Sequence, residues 1–166
     1  MTRLLPYAAL LAAAAVLVLA NERPGSGRST SGLVTRVVDG DTVQVRLEGH
    51  AEKVRLIGID TPESVEPGTP VECFARAASA ESRRLLARRR VTLRFDAERR
   101  DRYRRLLAYV YRDGDGLFVN AALLGGGFAR PLPISPNLAH AEEFARLARR
   151  ASRRGRGLWR ACRRPG

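Results

Sequence analysis

Lysine is almost absent from this strongly basic chain: Lys53 stands alone among 30 lysine and arginine residues. Zinc-type ligands are scarce too, with two cysteines, Cys73 and Cys162, and two scattered histidines, His50 and His140. That set cannot build a four-ligand zinc site. Aromatic residues make up only 6%, which argues against a surface that works mainly by stacking bases. Acids are few: 17 against 30 basic residues, for a net charge of +13 and a pI of about 11.3. Such an excess concentrates polyanions around the protein, so nucleic acid and anionic membrane are the partners to weigh. The arginines are spread over several elements rather than gathered on one amphipathic helix, which counts against a purely lipid-binding protein.

A chain of 166 residues has room for one domain and an appendage. Residues 1–20 form the appendage. Met1-Thr2-Arg3 is a short basic lead, and an apolar run to Ala20 ends in small residues before the abruptly polar Asn21-Glu22-Arg23. This reads as a signal peptide cut after Ala20, or, if uncleaved, as a membrane anchor. Export follows in both cases, to the medium or the cell envelope. In an oxidising compartment Cys73 and Cys162 favour one intramolecular disulfide. Residues 21–32 read as a Gly/Ser/Pro-rich linker, 33–162 as the folded domain and 163–166 as a tail.

Within the domain the pattern begins with strands. A β-type run starts at Leu33, Asp39-Gly40-Asp41 marks a turn, and Val43, Val45 and Leu47 alternate along a second strand. Glu48-Gly49-His50 is the next turn and a third strand runs from Lys53 to Ile59, giving an antiparallel meander. Residues 72–90 then change to helical period, with Phe74, Ala77, Ala78, Glu81 and Leu85 on one predicted face. Two more strands are expected over 91–95 and 106–111. A helix from Val119 is stopped by Gly125-Gly126-Gly127, and Pro131, Pro133 and Pro136 predict an irregular segment. Asn137 is the expected N-cap of a last helix that buries Phe144, Leu147, Ala148 and Ala151. Five short strands with a helix inserted after the third predict an α+β fold, a five-stranded OB-type barrel with about three packed helices.

The chemistry concentrates at residues 54–63. An apolar strand carries Arg55 and runs into Asp60-Thr61-Pro62-Glu63, where the proline fixes its own φ and pushes Thr61 toward extended backbone. Two acids on a stiff corner suit a cation, and an arginine beside them suits a phosphate, whose oxygens match its planar fork. Strict alternation puts Arg55 and Asp60 on opposite faces of a strand, so a bend is needed between them, and Gly58 is the expected place.

Asp39-Gly40-Asp41-Thr42, then Arg55 with Asp60-Thr61-Pro62-Glu63, then Asp101-Arg102-Tyr103-Arg104-Arg105 together resemble the staphylococcal-nuclease-like (thermonuclease) family. Val71-Glu72-Cys73-Phe74 and Gly157-Leu158-Trp159 extend the resemblance from about residue 34 to 159. It implies an OB-type barrel and a secreted or anchored endonuclease that hydrolyses phosphodiester bonds of DNA and RNA with calcium. It further implies that Asp41, Asp60 and the Thr61 carbonyl bind Ca²⁺, with Asp39 just outside that shell. Glu63 would align or deprotonate the attacking water, Arg55 and Arg105 would hold the scissile phosphate, and Arg102, Tyr103 and Arg104 would lie along the substrate. The expected partner is DNA and/or RNA, with a monomer and no obligate protein partner. Two departures stand out. Arg104 replaces the family's usual glycine, which threatens the turn that aims Arg105. Leu132 and Ile134 stand where familiar members carry tyrosines against the substrate base. The competing reading is a non-catalytic nucleic-acid-binding barrel, which would have no reason to keep both the acids and the arginines.

Overall fold

The computed structural model describes residues 29–63 and 70–162. The expected leader at 1–20, residues 21–28 of the expected linker, nearly all of the loop at 64–70 and the expected tail at 163–166 lie outside them. Among the described residues no helix is long and apolar enough to cross a membrane.

Five strands close a barrel in the order β1-β2-β3-β6-β5, formed by Ser29–Val37, Thr42–Leu47, His50–Leu56, Leu106–Arg112 and Arg90–Arg94 respectively. The expected OB-type α+β fold is therefore present. β1, β2 and β3 form the predicted antiparallel meander, and β3 pairs parallel with β6, Val54 opposite Leu106 and Leu56 opposite Ala108. Both residues of the β2–β3 turn, Glu48 and Gly49, have positive φ, the geometry whose twist matches a two-residue hairpin. Alternate residues point inward: Val34, Val43, Val45, Val54, Leu56, Val91, Leu93 and Val110 are fully buried.

Four helices cover the barrel: α1 (Ala75–Leu86), α2 (Val119–Gly126), α3 (Ala141–Arg153) and the single turn α4 (Leu158–Ala161). A disulfide joins Cys73, before α1, to Cys162, after α4. It closes a separation of 89 residues, which in the chain-entropy view stabilises the fold by about 4.6 kcal/mol.

Several expectations need correcting. β1 starts at Ser29, because Ser29 through Leu33 pair with Arg94 through Arg90, so the strand takes in the end of the segment read as linker. The third strand is two strands, β3 and β4 (Gly58–Asp60). The proline-rich segment contains β7 (Arg130–Leu132), which pairs antiparallel with β4; Pro131 is tolerated because the sheet has only these two strands. α2 runs through Gly125 and Gly126 and stops at Gly127, the αL C-cap. α1 buries Ala75, Ala78, Ser79, Ser82, Leu85 and Leu86, a face turned from the predicted one. The residue at the N-cap of α3 is His140, not Asn137, and its ring packs among Tyr109, Phe118 and Phe144.

Candidate active site

The site begins where β3 breaks. Ile57 donates its N–H to the Ala108 carbonyl of β6, but its own carbonyl leaves the ladder. The side chain of Asn120, fully buried on α2, accepts from Val110 N–H at 2.9 Å and donates to the Ile57 carbonyl at 2.9 Å, so the interruption costs no buried hydrogen bond. Gly58 then takes φ 76°, and a Cβ there would lie 2.6 Å from the Phe144 ring. Only glycine meets both demands. The bend expected at Gly58 is present, and it turns Asp60 to the side from which Arg55 projects.

Arg55 lies against both acids. Its Nη1 is 3.0 Å from Asp41 Oδ2 and its Nη2 is 3.1 Å from Asp60 Oδ1, while Nη1 also donates to the Leu56 carbonyl at 2.9 Å. The Arg55 side chain is 14% exposed, Asp41 8% and Asp60 54%, so the pair deepens from Asp60 toward Asp41.

Asp41 is fixed from several sides. Thr61 donates to its Oδ2 through the backbone N–H at 2.8 Å and the hydroxyl at 2.9 Å. Asp39 shapes the turn beneath it, its Oδ1 accepting from Asp41 N–H and Thr42 N–H in an Asx-type arrangement. Gly40 packs so closely on Thr61 that a Cβ would sit 2.5 Å from the hydroxyl oxygen, and the Gly40 carbonyl accepts from the buried Ser82 hydroxyl of α1. Glu63 is joined to the start of the next segment: its N–H donates to Glu72 Oε2 at 2.9 Å, and its carbonyl accepts from Glu72 N–H at 3.0 Å.

The acids raise one another's proton affinity. Burial, then the charge of Asp41, pushes the Asp39 carboxyl up to about 6, with Glu63 adding to the effect. The same two causes in the same order raise Asp60 against the opposing pull of Arg55. The pull of Arg55, joined at Asp60 by Arg130, does not offset these effects, so the acids of this corner are under-compensated, which favours uptake of a cation.

Arg105 reaches the cleft from the other side. Asp101 organises its loop: Oδ1 accepts from the N–H groups of Tyr103 and Arg105, and Oδ2 accepts from Arg105 Nε at 2.7 Å. Arg104 adopts φ 65°, the left-handed conformation that the family's glycine would take. The turn therefore survives the substitution. Arg100 braces it, one guanidinium nitrogen reaching the Arg104 carbonyl at 2.7 Å while both pair with Glu52. The buried Asn137 clamps the loop's base through the N–H and carbonyl of Glu98, the task it performs in place of capping α3.

A cleft of about 490 Å³ lies between these parts, lined by Arg55, Asp101, Arg102, Tyr103 and Arg105 with Leu132 on its wall. Tyr103 is 64% exposed and lies under the guanidinium groups of Arg102 and Arg105. Leu132 and Ile134, both exposed, give the cleft an aliphatic edge. Arg104 is not part of its lining. Ser82 and Asn120 escaped the sequence reading, and Asn137 was given a different task; Ser82 sits in a polar helical stretch that hides its burial, and Asn120 is a lone polar residue in an apolar one. For Asn120 the signal available was a single amide among apolar residues of a predicted helix.

The family model described as Staphylococcal nuclease homologue matches residues 53–161. The chain is 41% identical over 132 residues to a thermonuclease of Staphylococcus intermedius, covering 80% of this chain and 77% of that one. It is 38% identical over 126 residues to a thermonuclease of Staphylococcus hyicus, covering 76% and 73%. It also matches the SPbeta prophage-derived endonuclease YokF of Bacillus subtilis (strain 168) at 37% over 126 residues, 75% of this chain and 42% of that one. The chain belongs to the staphylococcal nuclease family. The family's five-stranded barrel with packed helices is the fold described above.

Hard oxygen donors meet at this family's corner: the carboxylates of Asp41 and Asp60, both within 3.1 Å of Arg55 nitrogens, beside the backbone of Thr61. Among the described residues no three acidic, histidine or cysteine side chains form a ready cage. Two carboxylates with carbonyl and water oxygens still suit a hard cation that keeps part of its hydration, and the excess of acid charge fits it.

Proposed function

We propose that this protein is an exported, calcium-dependent nuclease that hydrolyses phosphodiester bonds of DNA and/or RNA. The observation that carries the reading is the seat of Arg55, half-buried between Asp41 and Asp60 in the cleft that Arg105 also lines. The named nucleases among its relatives support the reaction class. The apolar leader and the disulfide support export.

A phosphodiester is negative, repels a nucleophile, and gathers more charge as it becomes pentacoordinate. Arg55 and Arg105, each held by carboxylates before substrate arrives, neutralise the phosphoryl oxygens without reorganising during the reaction. Glu63, close enough to the acidic corner for its charge to act on Asp39, takes or orients the proton of the attacking water. Asp41, Asp60 and the Thr61 carbonyl would hold the calcium, which would supply Lewis-acid polarisation of the phosphoryl group when bound. Asp39 shapes the turn that aims Asp41. Arg102 and Tyr103 stand along the cleft as contacts for the polynucleotide on either side of the scissile bond.

Plasmid DNA incubated with the mature protein in calcium, and again in excess chelator, tests this. Cleavage with calcium and none with chelator is expected. Undiminished cleavage in chelator would remove the metal from the reading. Binding without cleavage in either condition would turn it to a non-catalytic module.

A further inference from the structure

The active corner does not stop at Asp60. β4 carries Asp60 opposite Arg130 of β7, and the Arg130 guanidinium carbon lies 5.7 Å from the centre of the Trp159 ring on α4. Trp159 and Pro131 in turn line a shallow groove of about 430 Å³ with Ala145, Arg149, Ser152 and Arg153 of α3. A second groove on the same helix is lined by Arg146, Arg149, Arg150 and Arg153 with Glu143. These four arginines fall at positions i, i+3, i+4 and i+7, one continuous stripe of a helix, spanning about 10 Å at 1.5 Å per residue. Duplex DNA presents one charge per ~3.4 Å of each strand, so the stripe covers roughly three phosphates.

From this juxtaposition we propose that the arginine stripe of α3, reached from the cleft across Arg130 and the Pro131–Trp159 groove, is a second contact for the phosphate backbone of a long nucleic acid. The choice of partner rests on the nuclease reading.

Three features favour it over a solvated helix face or a lipid surface. Among the described residues Arg149, Arg150 and Arg153 form no ion pair, and Arg146 meets only the exposed Glu142 at 3.8 Å. Attraction to a helix C-terminus accounts for Arg150 and Arg153 in the last turn, but not for Arg146 and Arg149 before it. A membrane-surface helix inserts its apolar side into lipid, whereas the apolar side of α3, Phe144, Ala148 and Ala151, is already buried in the protein. What remains outward is charge, which suits a polyanion bound through its backbone without sequence preference.

The test measures affinity of the mature chain for a long DNA duplex across salt concentration, with chelator present so that the DNA is not cut. Replacing Arg149, Arg150 and Arg153 together by Gln should flatten the plot of log K against log salt by about 2 to 3. A matched variant, Arg46→Gln with Arg88→Gln and Arg89→Gln, removes the same charge from β2 and the α1–β5 turn, outside α3's main packing partners, and should flatten it by less than about 1. Equal slopes in the two variants would overturn the proposal, as would an unchanged DNA slope beside lost binding to anionic phosphatidylserine vesicles. Thermal melting confirms that both variants are folded. Cleavage of the same duplex in calcium is scored separately, so a stripe-dependent slope without cleavage supports the track while removing the nuclease reading.

Discussion

The corner around Gly58 and the loop around Asp101 each deliver one arginine to the same cleft, and they hold it by different means. Arg55 projects from a barrel strand, and its position follows from strand pairing, the buried Asn120 bridge and the bend against Phe144. Arg105 stands at the end of a loop whose shape comes from one carboxylate, Asp101, closing on three donors of its own segment. The first seat is part of the core and cannot be altered without disturbing the fold. The second is local and can be loosened by itself. On the proposed function, a phosphate held by one arginine from each seat would meet a rigid reference point and an adjustable one.

The largest effect should separate the two seats by stability. Arg55→Met strands Asp41, mostly buried, beside Asp60 with no counter-charge, and should cost about 3 kcal/mol, lowering the melting temperature by roughly 10 °C. Arg105→Met leaves Asp101 partly solvated and should cost under about 1 kcal/mol. Calcium should restore much of the Arg55→Met loss by binding the acids, and none of the Arg105→Met loss. Both should cut turnover by about 10²–10³. Melting curves in chelator and in calcium decide it, and equal destabilisation by the two substitutions would erase the distinction between the seats.

A smaller effect sharpens the local side. Asp101→Asn keeps an oxygen for the N–H groups of Tyr103 and Arg105 but loses the charge that steers Arg105 Nε. Turnover should fall about tenfold with a stability loss of about 1–2 kcal/mol. If single-turnover kinetics are unchanged, Arg105 does not depend on Asp101 for its aim.

The two regions also differ in how far they could be read from the residues. The corner was legible because its demands are covalent and local: Pro62 stiffens it, and period-2 alternation forces a bend between Arg55 and Asp60 that only Gly58 could supply. The number of barrel strands and the meander of the first three followed from period and turn chemistry; the parallel closure of β3 on β6 did not. β7 was not legible, because three prolines outweigh the possibility of a two-stranded sheet whose partner exists only after β3 has broken. Asn137 was misread for a related reason. An Asn before an amphipathic run fits an N-cap, and nothing local reveals that Glu98, 39 positions earlier, offers it two backbone partners. The face of α1 shifted because Ser79 and Ser82 are buried, Ser82 to serve the Gly40 carbonyl, and hydrophobic period cannot register a serine used that way.

The smallest expected effect concerns Arg104, where backbone and charge can be told apart. Its φ of 65° is a left-handed conformation that costs a side-chain-bearing residue about 1 kcal/mol, and its N–H and carbonyl are both engaged, with Asp101 and Arg100. Arg104→Gly and Arg104→Ala both remove the guanidinium, but only glycine relieves the strain. Glycine also gives the unfolded chain more freedom, which takes back about 0.4–1 kcal/mol, so Arg104→Gly should lie within about 1 kcal/mol of the parent. Arg104→Ala keeps the strain without that added freedom, so it too should lie near the parent. Turnover should separate the possibilities more cleanly than stability. With Arg105 aimed by Asp101 and Arg104 outside the cleft lining, both variants should retain the parent's rate to within about twofold, a difference of under about 0.5 kcal/mol in the barrier. A common tenfold loss would mean that the Arg104 guanidinium shares the phosphate with Arg105. A loss in Arg104→Gly alone would mean that the side chain steadies the turn, and that the loop is less self-sufficient than its three bonds to Asp101 imply.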